Sequence, residues 1–185
     1  MAPLEPSEIS AFPRDLTDAV RAALSVLMPD QMFKPVGGLS VRVSEESLLI
    51  PYRTYYDMAR VRRAADAGGR QGLVALCLGA RHHDGFLRES CARRLLARDE
   101  SWVIPFLFQL LGEYVVEIIR PIEEAIAADG GKYAAFVRAN PAYFLTTEQR
   151  ALSYWDAYYR LRYPDKRDYP ALKAIAALKA ISHPV

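Results

Sequence analysis

Histidine and cysteine, which carry much metal and nucleophilic chemistry, are scarce here: three histidines and two cysteines in 185 residues. Cys77 and Cys91 form neither a CxxC pair nor a disulfide framework, and both lie in helical, apolar-patterned sequence, so they read as reduced, buried thiols. A Gly-rich phosphate loop, a GxSxG elbow and an HExxH helix are all missing, which removes the more specific catalytic signatures. Charge of one sign is also lacking. With 24 basic and 22 acidic side chains the net charge is +2, too small to demand a nucleic acid or an acidic membrane as partner. Nor is there an unbroken apolar run. The longest, "WVIPFLFQLLGEYVVEII", is interrupted by Pro105, Gln109, Glu113 and Glu117, groups that are costly where no water can solvate them. The opening "MAPLEPSEISAFPRD" has no basic region followed by an apolar stretch and reads as a loose lead-in. The expectation is a cytoplasmic protein with no membrane partner and no cofactor.

What remains is the composition of an ordinary globular chain, half hydrophobic and a quarter charged, long enough to bury about 70% of its unfolded surface. Leu16, Val20, Ala23, Leu24 and Leu27 recur at helical spacing over 14–28, with Pro29 as the stop. Over 36–53, Val41 and Val43 alternate with polar residues before a turn-like "SEES" and the run Leu48 to Ile50, which predicts a β-hairpin at about 40–53. A short helix can begin within "YDMARVRRAADAGGR" and is broken by Gly68-Gly69. Residues 71–80 are apolar nearly all round and read as a buried helix; 86–98 place Leu87, Cys91 and Leu95 on one stripe with Arg88, Arg94 and Arg98 away from it. Ser101 can cap a long helix running from Trp102 to about Arg120, with Pro121 either kinking it or starting another. "KYAAFVRA" forms a short helix stopped by Asn140-Pro141. Thr146 and Gln149 make a capping-box pattern opening the next helix, which Pro164 closes, and a last helix can start at about Ala171.

The fold expected is therefore mainly α, a compact helical stack with HEAT/armadillo-like helix pairs and one small N-terminal β-hairpin. Its organisation is a lead-in over 1–13, a single helical domain over 14–170, and a C-terminal helix or tail over 171–185.

The densest cluster of chemistry-bearing residues is "GARHHDGFLRESCARRLL". Its "HD" resembles the metal-binding doublet of HD-type phosphohydrolases, which makes His83 and Asp84 candidate metal ligands; the further histidine of such a site is missing, as His183 near the C-terminus is the only other one besides His82. The same stretch resembles the second helix of a HEAT-type repeat over about 71–98, in Asp84, Leu87, Arg88 and Cys91. That resemblance implies an aspartate capping the helix and an arginine reaching an acid at a neighbouring turn. Further on, Gln109, Glu113, Glu117 and Arg120 align along one face of the predicted long helix, either as its solvent side or as a polar pocket. If buried, Glu113 and Glu117 need cations, for which Arg53, Arg81 and Arg88 are candidates. "SYWDAYYR" adds Tyr154, Trp155, Tyr158, Tyr159 and Arg160, in a chain of eleven tyrosines.

Taken together, "IPYRTYYD", "ARHHDGFLRE", "PFLFQLLGEYVVEI" and "SYWDAYYR" resemble the recurrent motifs of an uncharacterised bacterial protein family. The resemblance, over about 48–170, implies a cytoplasmic and mostly helical protein and supplies no reaction. The leading functional expectation is a non-enzymatic interaction protein that binds a protein or a small anionic ligand in a polar, aromatic-lined groove, with Tyr52, Arg53, Arg81, Arg88, Glu117, Tyr154 and Arg160 as ligand-binding candidates. The alternative is a small-molecule enzyme, a hydrolase of phosphate- or carboxylate-bearing substrates, with His82, His83, Asp84 and Glu113 as candidate catalytic groups. Nucleic-acid binding is the third reading.

Overall fold

The apolar spacings place helices along most of the chain, and the computed structural model, which describes residues 7–28, 35 and 37–182, is mainly α with one two-stranded antiparallel sheet. The chain divides into two compact units, Met1–Leu95 and Leu96–Val185, a boundary inside the stretch expected to be one helical domain. Pro29 and His183 lie outside the described residues. No described helix is long and apolar enough to cross a membrane.

In the first unit, 3-10 turns at Ser7–Ala11 and Arg14–Leu16 lead into α1, Thr17–Leu27, which buries Val20, Ala23, Leu24 and Leu27 at three- and four-residue spacing. Strands β1 (Leu39–Val43) and β2 (Glu46–Ile50) pair with Val41 opposite Leu48 and Leu39 opposite Ile50. The period-2 alternation turns Val41, Val43, Leu48 and Ile50 inward. Then come α2 (Met58–Asp66), α3 (Gly69–Gly79) and α4 (Gly85–Leu95). Asp57 caps α2 by accepting from the Arg60 amide at 3.0 Å. Gly68 joins α2 to α3 with φ +71°, a left-handed conformation that glycine adopts without the usual steric cost. Helix α3, buried from Gly72 to Gly79, is the core, and α1, α2 and α4 pack around it. Arg88 departs from the expectation of an outward side chain: it is buried in the fully packed part of α4, because its guanidinium answers backbone carbonyls described below.

In the second unit the predicted long helix is instead a broken path. A 3-10 turn at Ser101–Val103, α5 (Ile104–Gln109) and a 3-10 turn at Leu110–Gly112 give way to extended backbone at Glu113 (φ −111°, ψ 174°), before α6 runs Val116–Ala128. Gly112 closes the second of these 3-10 turns. A Cβ there would stand 3.4 Å from Thr147 and 3.5 Å from Arg150, so the turn lies close against the later helix that carries them. The polar stripe is thereby dismantled: Gln109 and Glu113 are buried, while Glu117 and Arg120 are exposed. Ser101 sits inside the 3-10 turn without capping it, whereas Pro105 occupies the first turn of α5, where its missing N–H costs nothing. Pro121 starts no new helix and lies within α6.

Helix α7 is Gly131–Ala139, and α8, Pro141–Tyr154, opens at a proline whose missing N–H would have had no partner there. Thr146 is thus mid-helix rather than at a cap, its hydroxyl donating to the Ala142 carbonyl at 3.0 Å. Helix α9 (Pro170–Ser182) buries Ala171, Ala174, Ile175 and Leu178 and packs on α6, α7 and α8. The C-terminal segment is therefore docked on its own unit up to Ser182.

The tightest helix contact in the first unit is at Gly79, where an added Cβ would be 2.5 Å from Cys91 Sγ and 2.9 Å from Val61 Cγ1. Gly79→Ala is expected to destabilise by about 1 to 3 kcal/mol through overpacking. Gly79→Ala combined with Cys91→Ala should recover much of that loss in urea unfolding; an additive double variant would contradict the close approach.

Candidate functional site

Residues 52–56 and 81–88 form one hydrogen-bonded knot. The Thr54 amide donates to the Arg81 carbonyl and the His83 amide to the Thr54 carbonyl, both at 3.0 Å, so an extended segment is laid against the α3–α4 turn. Thr54 Oγ1 donates to the Leu78 carbonyl at 2.9 Å. His82 is fully buried at the centre. Its Nε2 lies 2.7 Å from the Tyr56 carbonyl, which can only accept, so Nε2 carries the proton; Nδ1 then accepts from the Asp84 amide at 3.0 Å. Burial holds the imidazole pKa below its ordinary value, so the neutral ring is favoured.

Around that ring the charged groups serve the backbone. Arg88 Nη1 donates to the His82 carbonyl at 2.7 Å and to the His83 carbonyl at 3.3 Å. Arg81 Nε donates to the Pro51 carbonyl at 3.2 Å and its Nη2 to that of Tyr52 at 2.9 Å. Asp84 Oδ1 caps α4 by accepting from the Leu87 amide at 2.8 Å, and that hydrogen bond pulls its pKa down. The Tyr56 hydroxyl donates to buried Glu8 at 2.7 Å, tying in the first 3-10 turn; burial raises the tyrosine pKa far above its ordinary value. His83 is exposed and its ring stacks on Tyr55 at 5.3 Å. Among the described residues no group of three His, Cys, Asp or Glu side chains could hold a metal ion.

The second unit holds a different arrangement. Past Tyr154, α8 widens into a π-helical turn at Trp155–Tyr159, a geometry that recurs at functional sites. Tyr154 and Tyr158 stack with centroids 6.2 Å apart, and Tyr114 closes a triangle with them at 5.9 and 6.3 Å. The Tyr159 hydroxyl donates to the Tyr114 carbonyl, and Trp155 Nε1 donates to the Tyr163 carbonyl at 2.9 Å, which fix the platform from both sides. Arg160 lies over the Trp155 ring at 5.5 Å and pairs with Asp156 one turn back. Tyr158 is 69% exposed, Tyr114 51% and the neighbouring Leu161 99%.

No family model, curated protein or solved structure matches the chain. Geometry alone therefore supplies the functional argument.

The sequence-predicted residues fall into two groups. Tyr52, Arg53, Arg81, His82, His83, Asp84 and Arg88 belong to the first unit, and all take part in or border the knot; Tyr52 is half-buried with its ring close over Gly37. Glu113, Glu117, Tyr154 and Arg160 belong to the second. There Tyr154 and Arg160 join the aromatic platform, Glu113 is buried and Glu117 is exposed. Tyr158 stood out in the sequence as a member of the "SYWDAYYR" cluster, but neither it nor Tyr114 was among the ligand-binding candidates. The four-residue spacing of Tyr154 and Tyr158 was an available signal; Tyr114 carried none, because the path back to it depends on the broken helix.

His82→Ala should cost about 3 kcal/mol, from a cavity and two lost hydrogen bonds. The pH dependence has a definite sign. The folded-state pKa lies below the unfolded 6.5, so the unfolded chain binds the proton first; the stability from neutral His82 is fully present above that value and falls as pH drops below it toward the folded pKa. In urea titrations across that range, the stability gap between wild type and His82→Ala should narrow toward acid. A gap independent of pH would contradict the buried neutral ring.

Proposed function

We propose that the chain is a non-catalytic interaction module that binds a protein partner on the tyrosine platform of its C-terminal unit. One observation carries this reading: three tyrosine rings in mutual contact are held rigidly at the surface, two of them more than half exposed, beside a fully exposed Leu161. An apolar patch of this kind loses free energy to water unless something covers it. Tyrosine rings offer large contact area at small entropic cost and hydroxyls for the polar rim, which is why they are enriched at protein interfaces. The unit carries equal numbers of basic and acidic side chains, and Arg160 is already paired, so a polyanion has little to attract it there.

The first unit supports the same reading. Both ring nitrogens of His82 are engaged, and Arg81 and Arg88 donate to backbone carbonyls, so the knot serves the backbone rather than a substrate. In this proposal α3 and α4 form a HEAT-type pair, supported by the Asp84 cap and by Arg88 four residues on. A cytoplasmic location in a bacterium belongs to the proposal too, supported by a sequence with only two cysteines, both buried.

Affinity capture from the source cell with immobilised wild type, followed by titration of the purified partner, tests this. Tyr114→Ala/Tyr158→Ala is expected to keep its unfolding midpoint yet weaken the purified complex by roughly 2 kcal/mol, about thirtyfold. Equal affinity for both proteins, or a phosphorylated metabolite raising the wild-type midpoint with no protein complex formed, would contradict it.

A further inference from the structure

The first unit presents an arginine face. Helix α2 buries Val61, Ala64 and Ala65, which leaves Arg60, Arg62 and Arg63 on its outer side within four residues. Among the described residues no carboxylate forms an ion pair with any of these three. Helix α4 packs on α3, as α2 does, and is tied to the α2 segment near both ends. At the N-terminal end His82 donates to the Tyr56 carbonyl, and at the C-terminal end Arg94 donates to Asp66 Oδ1 at 3.0 Å and to the Ala65 carbonyl at 3.2 Å. Val61 of α2 and Cys91 of α4 meet at the same point of α3, since an added Cβ at Gly79 would stand 2.9 Å from Val61 Cγ1 and 2.5 Å from Cys91 Sγ. Arg93 adds a further cation, with Glu89 as its partner at 2.9 Å. Phe86, in the first turn of α4, is 83% exposed. Seven residues separate it from Arg93, two helical turns at nearly the same azimuth.

We propose that this α2–α4 face binds single-stranded nucleic acid, with arginines on backbone phosphates and Phe86 stacking a base. Guanidinium matches phosphate through bidentate hydrogen bonds, and every basic side chain on this face is arginine. A basic surface with an aromatic ring in line is the arrangement that binds single strands without reading sequence. An acidic membrane fits less well. Helix α2 has its apolar side committed to the core, so it cannot insert. The proposal is independent of the tyrosine platform.

Fluorescence anisotropy of a labelled mixed-sequence single-stranded RNA, titrated with the full chain over a salt series, is the test. The wild type is expected to bind, with affinity falling as salt rises. Arg62→Ala/Arg63→Ala, at two exposed positions, should weaken binding about tenfold or more and lower the salt slope by about 1.4, the value expected when two phosphates of a single strand are no longer neutralised. Phe86→Ala should weaken the single strand while leaving a duplex of the same sequence unchanged. Absence of binding at low salt, indifference to the arginine substitutions, or binding of phosphatidylserine vesicles in preference to the RNA would each overturn the proposal.

Discussion

The imidazole of His82 is the group on which the N-terminal unit depends. A hydrogen bond at each nitrogen joins three segments: the extended chain before α2 through the Tyr56 carbonyl, the α3–α4 turn through the Asp84 amide, and through Tyr56 itself the first 3-10 turn at Glu8. A buried polar ring costs free energy unless both nitrogens are satisfied, and each here has one partner of the required kind. The same bonds fix its protonation, since an imidazolium would point a second N–H at the Asp84 amide. Arg81 and Arg88 then close the turn, satisfying carbonyls that a tight chain reversal would otherwise leave buried without donors.

This arrangement explains why the densest chemical motif of the sequence is not where the geometry offers a partner something to hold. A site needs groups aimed outward. His82, Arg81 and Arg88 of the knot are aimed at the backbone, whereas the tyrosine triangle and the α2 arginines leave rings and guanidiniums in water. The π-helical turn has a structural consequence as well. It sets Tyr154 and Tyr158 against Tyr114 while Tyr159 and Trp155 bond to neighbouring loops, so the platform is preorganised and little ordering entropy remains to oppose binding.

Much of the fold was legible because local pattern and tertiary environment agree. Helix α1 and the hairpin show the period of their buried face, α3 the all-round apolarity of a buried helix, and Gly68, Asn140-Pro141 and Asp84 sit where backbone chemistry demands them. The misreadings came where a tertiary contact overrode the pattern. Sequence spacing made 102–120 a single helix, but the backbone turns extended at Glu113, so Gln109 and Glu113 part company with Glu117. Thr146 with Gln149 matched a capping box, yet Pro141 starts the helix earlier, where α7 ends with the Asn140 side chain on the Phe136 carbonyl. Arg88 lies on a helix that looked half-exposed, yet it is buried with its guanidinium on the carbonyls of the turn. At the candidate site, the cap by Asp84 was readable from one residue and its neighbours. The contact of Tyr114 with Tyr154 joins residues far apart in the chain and was not.

The measurement that bears most directly on the His82 knot is the long-range nitrogen–proton NMR correlation of that ring, recorded from neutral pH down through the ordinary histidine range. A protonated Nε2 and an unprotonated Nδ1 are predicted at neutral pH, persisting below the pH at which a solvent-exposed imidazole has titrated. A His82 that titrates as in water, or that carries its proton on Nδ1, would contradict the buried neutral ring and return the knot to consideration as a site of chemistry.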